Sequence, residues 1–359
     1  MKKKKFFREK IFLIIILLLL VLISGCKGKK SAEKSLEEIR SGTQGIAINF
    51  LLGAMPEKIH VVEGGDEATN SFDVVLEVRN VGAFPQPDEI SLLSDLAGTS
   101  LGTVHLSGYD SNILSFDTSG AAELDPKILI GKSTINPDGG LDIIKFAGRV
   151  KTESLDVEKY EPILLATACY SYITVAGPSV CIDPNPYSTI KERKVCEVQD
   201  ITLSSQGAPI AITRIDEEAL AAKTQFKITI KNVGNGDVIK SESLYKCQSF
   251  GQHVEFLGTE DIDKVYLKEV KISKKQLKCG PFIDGNLNSE SGYIRLTNGE
   301  GLIICELPRD EYKDNPTAFT TPLQIKLIYA YRTTTQQKIQ IIKERIGIGV
   351  DSADTRNIN

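Results

Sequence analysis

The chain has 359 residues, 25% of them charged, with 43 basic and 47 acidic side chains, three histidines and no tryptophan. An acidic balance repels phosphate backbones, and no lysine and arginine stripe interleaved with aromatics occurs beyond the first residues, which argues against nucleic-acid binding. The lack of tryptophan removes the best aromatic platform for a sugar ring.

At the N-terminus a basic stretch, Lys2 to Lys10, precedes an unbroken apolar run of 13 residues, Ile11 to Ile23, and then the small residues Ser24 and Gly25. A bilayer-spanning helix needs roughly 20 apolar residues and a secretory signal about 7 to 15, so the run fits an export signal that is removed. The competing reading is an uncleaved signal-anchor helix, and either places the bulk of the chain outside. Ile23-Ser24-Gly25-Cys26 resembles the lipobox of prokaryotic lipoproteins, which implies cleavage before Cys26, lipidation of its thiol, and anchoring at the extracytoplasmic face of the cell membrane. Two acyl chains would hold the protein there, since one chain gives only marginal binding at about 0.8 kcal/mol per buried CH₂. Loss of residues 1–25 removes six basic side chains and one acidic, leaving 37 positive against 46 negative, a net charge of −9.

Besides Cys26 there are six cysteines, Cys169, Cys181, Cys196, Cys247, Cys279 and Cys305. An even number in an exported chain predicts up to three disulfides. No C-x-x-C pair occurs, and His60, His105 and His253 are far apart with no cysteine beside them, so zinc ranks below disulfides and no metal site is assigned.

Residues 26–44 are charged and small, with a short helical patch at Ala32 to Arg40, and read as a tether whose ends lie on the order of 25 Å apart. After Gly45 the chain turns to short β-type runs broken by Gly, Pro, Asn and Asp. In Phe226 to Lys231 the residues Phe226, Ile228 and Ile230 share one face, the period of a half-buried strand. Similar runs lie at Ile46 to Leu51, Lys58 to Val62, Ile143 to Phe146, Ala211 to Ile215, Tyr293 to Thr297 and Leu302 to Cys305. The expected class is all-β.

Two internal matches occur in the same order. Val74 to Gly82, ending Asn80-Val81-Gly82, matches Phe226 to Gly234, ending Asn232-Val233-Gly234, at an offset of 152. Leu164 to Thr174 matches Leu323 to Thr333 at an offset of 159, laying Tyr170 and Tyr172 on Tyr329 and Tyr331. The repeat predicts two tandem β-sandwich domains, 45–183 and 196–345, arranged end to end across a linker at 184–195, with a tail at 346–359. The four tyrosines are expected on the core face, with their hydroxyls reaching its rim.

A hairpin turning near Val175 would set Cys169 opposite Cys181, within the reach of a disulfide on the face away from the tyrosines. The other four cysteines allow three pairings. The preferred one joins Cys279 to Cys305 across strands flanking Asn298-Gly299 and leaves Cys196 with Cys247.

The run from Phe226 to Val238, and its weaker copy around Asn80-Val81-Gly82, resembles the B-strand signature of CARDB-like and related immunoglobulin-like modules of prokaryotic surface proteins. With the Cys26 lipobox and the C-Y-S-Y run at Cys169, the chain resembles the uncharacterised multi-domain surface lipoproteins of archaeal genomes. The resemblance implies immunoglobulin-like sandwiches and a role in adhesion, without assigning binding residues. The first copy departs from the pattern: Ala83-Phe84-Pro85-Gln86-Pro87 stands where the second has Asn235-Gly236-Asp237.

No G-x-S-x-G elbow, histidine-centred base or phosphate-cradling glycine loop is present, so no catalytic residue is assigned and no cofactor is expected. Asn136 to Asp142 and Glu260 to Asp263 are acidic enough to be weighed as calcium loops, and read equally well as turns. The expected function is a non-enzymatic structural, adhesion or protein-binding module, partnered by the membrane and by another surface protein or envelope component. Glycan or solute binding, and a surface hydrolase with an unrecognised site, are the alternatives.

Overall fold

The structure is a computed structural model that describes residues 36–51, 53–65, 69–91, 100–188, 194–247 and 255–344. The signal segment, Cys26, His253 and the C-terminal tail lie outside the described residues. The α-helix α1 spans Leu36–Ile39. The strands of the first half are β1 (Ile46–Phe50), β2 (Lys58–Val62), β3 (Ser71–Asn80), β4 (Gly102–Ser107), β5 (Leu114–Phe116), β6 (Ala121–Leu124), β7 (Leu141–Val150), β8 (Lys159–Tyr160), β9 (Ile163–Ala176) and β10 (Ser179–Ile182). Those of the second half are β11 (Ile201–Thr202), β12 (Ile210–Ala219), β13 (Lys223–Asn232), β14 (Asp237–Ile239), β15 (Lys264–Ile272), β16 (Lys275–Gln276), β17 (Lys278–Gly280), β18 (Gly292–Arg295), β19 (Glu300–Pro308), β20 (Phe319–Lys338) and β21 (Gln340–Glu344). The fold is therefore built of β-strands in several sheets.

Alternation sets which face each strand buries. In β3 the side chains of Phe72, Val74, Leu76 and Val78 are buried and their neighbours are partly exposed, and β13 buries Phe226, Ile228 and Ile230 as the sequence pattern predicts. Strands β1, β3, β7 and β5 form a four-stranded sheet, and β11, β12, β13, β19 and β17 a five-stranded one. Between the halves runs a nine-stranded sheet with the order β16-β15-β20-β9-β4-β6, joined by β10 and β14 on β20 and by β18 on β15. Strands β2, β21 and β8 make a small fourth sheet.

The two copies of the repeated segment pair with each other. β9 and β20 run antiparallel with Tyr172 opposite Tyr329, Ser171 opposite Ala330 and Tyr170 opposite Tyr331. The same register continues through β10 at one end, to Ile182 opposite Phe319, and through β21 and β8 at the other, to Ile342 opposite Lys159. Because the repeat offset carries Ser171 onto Ala330, its own ladder partner, a pseudo-twofold axis passes between them. The end of each half is thus exchanged: β10 extends the ladder along the start of β20, while β21 pairs with β8 and, in parallel, with β2. The end-to-end arrangement expected from the repeat is replaced by a shared central sheet, because sequence similarity reports that two strands are alike and not which strand each one pairs with.

This ladder also corrects the cysteine pairing. The chain does not turn at Val175 but runs on past Gly177-Pro178 along the same rim of β20, so Cys169 and Cys181 lie far apart on one line instead of facing each other. Cys169 bonds to Cys247 and Cys181 to Cys196, in place of the expected Cys169–Cys181 and Cys196–Cys247; Cys279 bonds to Cys305 as expected, opposite it in the β17–β19 ladder. Cys247 ends the 3-10 segment Ser241–Cys247, which follows β14 across the face away from the tyrosines, where Ile239, Leu244 and Ala330 pack beside the bridge. The end of the expected tether belongs to the fold. Ile39 is buried, Gly42 N–H donates to Ser205 Oγ at 2.9 Å, and Ala208 N–H donates to the Gly42 carbonyl.

Candidate functional site

The tyrosines at the pseudo-twofold axis organise the site. Tyr170, Tyr172, Tyr329 and Tyr331 are all at most 2% exposed, with neighbouring ring centroids 5.9 to 6.5 Å apart. Such contacts are worth about 0.5–1.5 kcal/mol each beyond the area they bury. The hydroxyls do not emerge at a solvent rim; they serve the backbone of the two Asn-Val-Gly turns and of the strands before them. Phe84 N–H donates to Tyr172 Oη at 3.1 Å, and Tyr172 donates to the Gly207 carbonyl at 3.0 Å. In the other half Gly236 N–H donates to Tyr331 Oη at 2.7 Å, and Tyr331 donates to Asn232 Oδ1 at 3.0 Å. Tyr170 is served by the backbone at Ile46 and Tyr329 by Ile210 N–H, at matching places in β1 and β12. Burial raises the phenol pKa of all four tyrosines, which keeps them neutral donors.

The repeated motif has a local cause. Asn80 Oδ1 accepts Gly82 N–H at 3.0 Å while its Nδ2 donates to the Phe84 carbonyl at 2.8 Å; Asn232 does the same with Gly234 N–H at 3.2 Å and the Gly236 carbonyl at 2.9 Å. The glycine is needed for close approach: a Cβ on Gly82 would lie 1.9 Å from Tyr172 Oη, and one on Gly234 would lie 2.4 Å from Tyr331 Oη.

After the turn the halves part. In the second, β14 pairs with β20, Asp237 opposite Arg332 and Ile239 opposite Ala330, and Arg332 Nη2 meets Asp237 Oδ2 at 2.7 Å. In the first, the matching residues are Pro85-Gln86-Pro87, and proline has no N–H to donate to a ladder. They form no strand. Gln86 Nε2 donates instead to the carbonyls of Ala83 and Lys132, at 2.6 and 3.1 Å.

No described strand takes the corresponding place on the rim of β9. β4 pairs with it only as far as Tyr170, with one further bond from Ser171 N–H to the Leu101 carbonyl at 2.9 Å. Backbone groups alternate sides along a strand, so the N–H groups of Ile173 and Val175 point the same way as that of Ser171. No strand among the described residues pairs with them there.

A cavity of about 510 Å³ opens along this rim, lined among others by Phe84, Ile173, Val175, Leu203, Arg40 and Glu89. Glu89 Oε2 already accepts Gln86 N–H at 3.0 Å. Arg40 Nε is buried with no hydrogen-bond partner among the described residues. The matching place in the second half is a smaller cleft of about 270 Å³ with a polar wall of Thr333, Thr334, Thr335, Asn49 and Asn235.

The other residues weighed in the sequence have ordinary places. His60 lies on β2, its Nδ1 2.8 Å from Glu344 Oε1. His105 is buried in β4, where burial foremost and then Arg332 push its pKa down to about 4, so it stays neutral. In the expected calcium loops, Asp142 Oδ1 accepts the N–H of Ile143 at 2.8 Å. Asp261 is buried and bonded to Ser243 Oγ, Lys246 Nζ and Gly258 N–H; burial works against ionisation, but these bonds outweigh it and hold the carboxyl down at about 2. Its oxygens are spent on the protein, and no cluster of three potential metal ligands occurs among the described residues.

Arg40 and Ile173 were not singled out from the sequence, and Val175 only as the turn of a hairpin. The available signal was the pair Pro85 and Pro87 replacing the second copy's strand. No family model matches the chain, and no curated protein matches it.

Proposed function

We propose that this chain is a lipid-anchored extracytoplasmic protein, held at the membrane through Cys26, that serves as a non-enzymatic binding module for another surface protein or envelope component. On this reading each half is an immunoglobulin-like, CARDB-like sandwich, the pair fused through their central strands. The observation that carries it is the rim of β9 with which no described strand pairs, beside a cavity where Arg40 Nε is buried without a hydrogen-bond partner among the described residues. Exposed strand edges bind extended segments through main-chain hydrogen bonds, and sheet proteins otherwise cover or blunt them. Three disulfides support the location, since such bonds persist in oxidising compartments.

The test has two parts. Mass spectrometry of the mature N-terminus should find Cys26 as the lipidated first residue; an intact Met1 in the membrane fraction would remove the lipoprotein assignment. Cross-linking in cells should join the anchored chain to a second envelope component, and recovery of the chain alone would count against a binding role. The threonine-walled cleft of about 270 Å³ favours a second reading, recognition of a glycan or small polar solute. Saturable binding on a glycan array, lost on substituting Thr334, would support that reading instead.

A further inference from the structure

The two halves supply an internal control for what is missing. In the second half the rim of β20 at Ala330 to Arg332 is covered by β14, antiparallel to it. The repeat offset carries Ser171 to Ile173 onto that stretch, yet Pro85-Gln86-Pro87 form no strand and no described strand pairs with the β9 rim there. The chemistry of the slot has changed with it. Where β14 meets an arginine with an aspartate, Asp237 to Arg332, the first half has Pro85 and Ile173, an apolar pair. Ile173 is buried and Val175 half exposed, so the floor of the slot passes from enclosed to open along the strand. Its walls combine the apolar Phe84 and Leu203 with Thr202, Ser204 and Gln206; of its two charged side chains Glu89 accepts the Gln86 N–H, and Arg40 Nε is buried with no hydrogen-bond partner among the described residues.

We infer that the β9 rim is a binding slot for an extended peptide segment of a partner protein, added antiparallel to β9 in the position that β14 occupies in the second half. This identification rests on the binding-module reading above and names the partner's chemistry. The segment's main chain pairs with Ile173 and Val175. Its alternate side chains on one face are apolar, to pack on Ile173, and it carries a carboxylate for Arg40. Specificity follows from the side chains and affinity from the ladder, as in other strand additions. A cationic segment is disfavoured because it would leave Arg40 facing a like charge.

The experiment measures fluorescence anisotropy of a labelled ten-residue peptide, alternating valine and threonine with an aspartate near each end, titrated with the full chain in detergent. A second peptide carries lysines in place of the aspartates. The aspartate peptide should bind saturably and at least tenfold more tightly than the lysine peptide, and Arg40→Glu should invert that preference. Val175→Pro, which removes an N–H on the open rim, should abolish binding of both. A peptide N-methylated on alternate amides tests the same ladder with the protein unaltered, and should bind at least tenfold more weakly in one of its two methylation phases. Equal binding of the acidic and basic peptides, indifference to both methylation phases, or no binding of either peptide would overturn the slot. Cross-linking in cells separates the two proposals: a partner still captured by the Val175→Pro chain keeps the binding module and discards this site, whereas no partner for either chain discards both.

Discussion

The two halves of the molecule share a scaffold and differ in how they close it. Each places an Asn-Val-Gly turn over a buried tyrosine of the common ladder, with the same asparagine bonds. The second half then covers its rim with β14, pairs Asp237 with Arg332, and bolts the following segment to the central sheet through Cys169–Cys247. The first half has two prolines in the strand's place and leaves a cavity beside Arg40. A duplicated unit has thus kept its internal hydrogen bonds and diverged at a sheet edge, where no core contact enforces likeness.

The largest effect expected comes from releasing that bolt. Replacing Cys169 and Cys247 together by alanine frees a loop with a sequence separation of 78 residues and should lower stability by about 4 kcal/mol in denaturant unfolding. Hydrogen exchange should then show the amides of β14 losing protection, making the second half resemble the first. Opening Cys181–Cys196, separated by 15 residues, should cost about 3 kcal/mol and leave β14 protected.

Gly82→Ala and Gly234→Ala compare the two turns directly. At Gly82 a methyl would meet the carbonyls of Gly207 and Gln44, at 2.5 and 2.6 Å, as well as Tyr172 Oη, whereas at Gly234 its nearest neighbours are the side chains of Tyr331 and Pro209. Backbone yields less readily than a ring, so Gly82→Ala should cost about 3 kcal/mol and Gly234→Ala about 1 to 2. Equal losses in thermal unfolding would mean that the first turn is no tighter than the second.

Two buried titratable groups, one in each half, are shifted by burial in opposite directions. Glu217 is buried on β12; its Oε2 accepts Cys181 N–H at 3.2 Å, Oε1 has no partner among the described residues, and burial raises its pKa to about 7. The folded state therefore holds its proton more tightly than the unfolded chain. The stability this contributes is complete below the ordinary glutamate range and is lost as pH rises through about 7. His105 is held at about 4, so its contribution is complete above the ordinary histidine range and is lost as pH falls through about 4. Glu217→Gln should remove the first slope, gaining on the order of 2 kcal/mol at pH 8 relative to pH 4. His105→Asn should remove the second slope, seen as a smaller loss of stability on acidification from pH 7 to 4.

The smallest effect concerns the two hydroxyls. Tyr172→Phe leaves the buried Phe84 N–H without its acceptor and should cost about 1 to 2 kcal/mol. Tyr331→Phe, beside the more open Gly236, should cost roughly 1 kcal/mol or less. Double-mutant cycles would show whether the rings couple across the axis.

Much of this scaffold was legible in the chain. Alternation identified the buried face of β13, the repeat located the tyrosines, and the count of cysteines anticipated up to three bridges. Cys279 and Cys305 could be paired because a short local ladder sets them opposite each other. Cys169 and Cys247 could not, because they meet across the back of a sheet whose neighbours come from different halves. The binding slot was visible only as a departure from the repeat at Pro85 and Pro87. Arg40, in a stretch that reads as tether, carried no local mark of belonging to a cavity.

By itself the sequence determined the β character, the periodic faces and the likeness of the two halves, all of which depend on residues near one another along the chain. Only the tertiary structure decided that the like strands pair with each other about Ser171 and Ala330, that their ends are exchanged, and that no described strand pairs with one rim. Strand pairing depends on backbone groups that are chemically alike at almost every residue. Which rim meets which is therefore settled by the packing of the whole sheet and not by any short run of side chains.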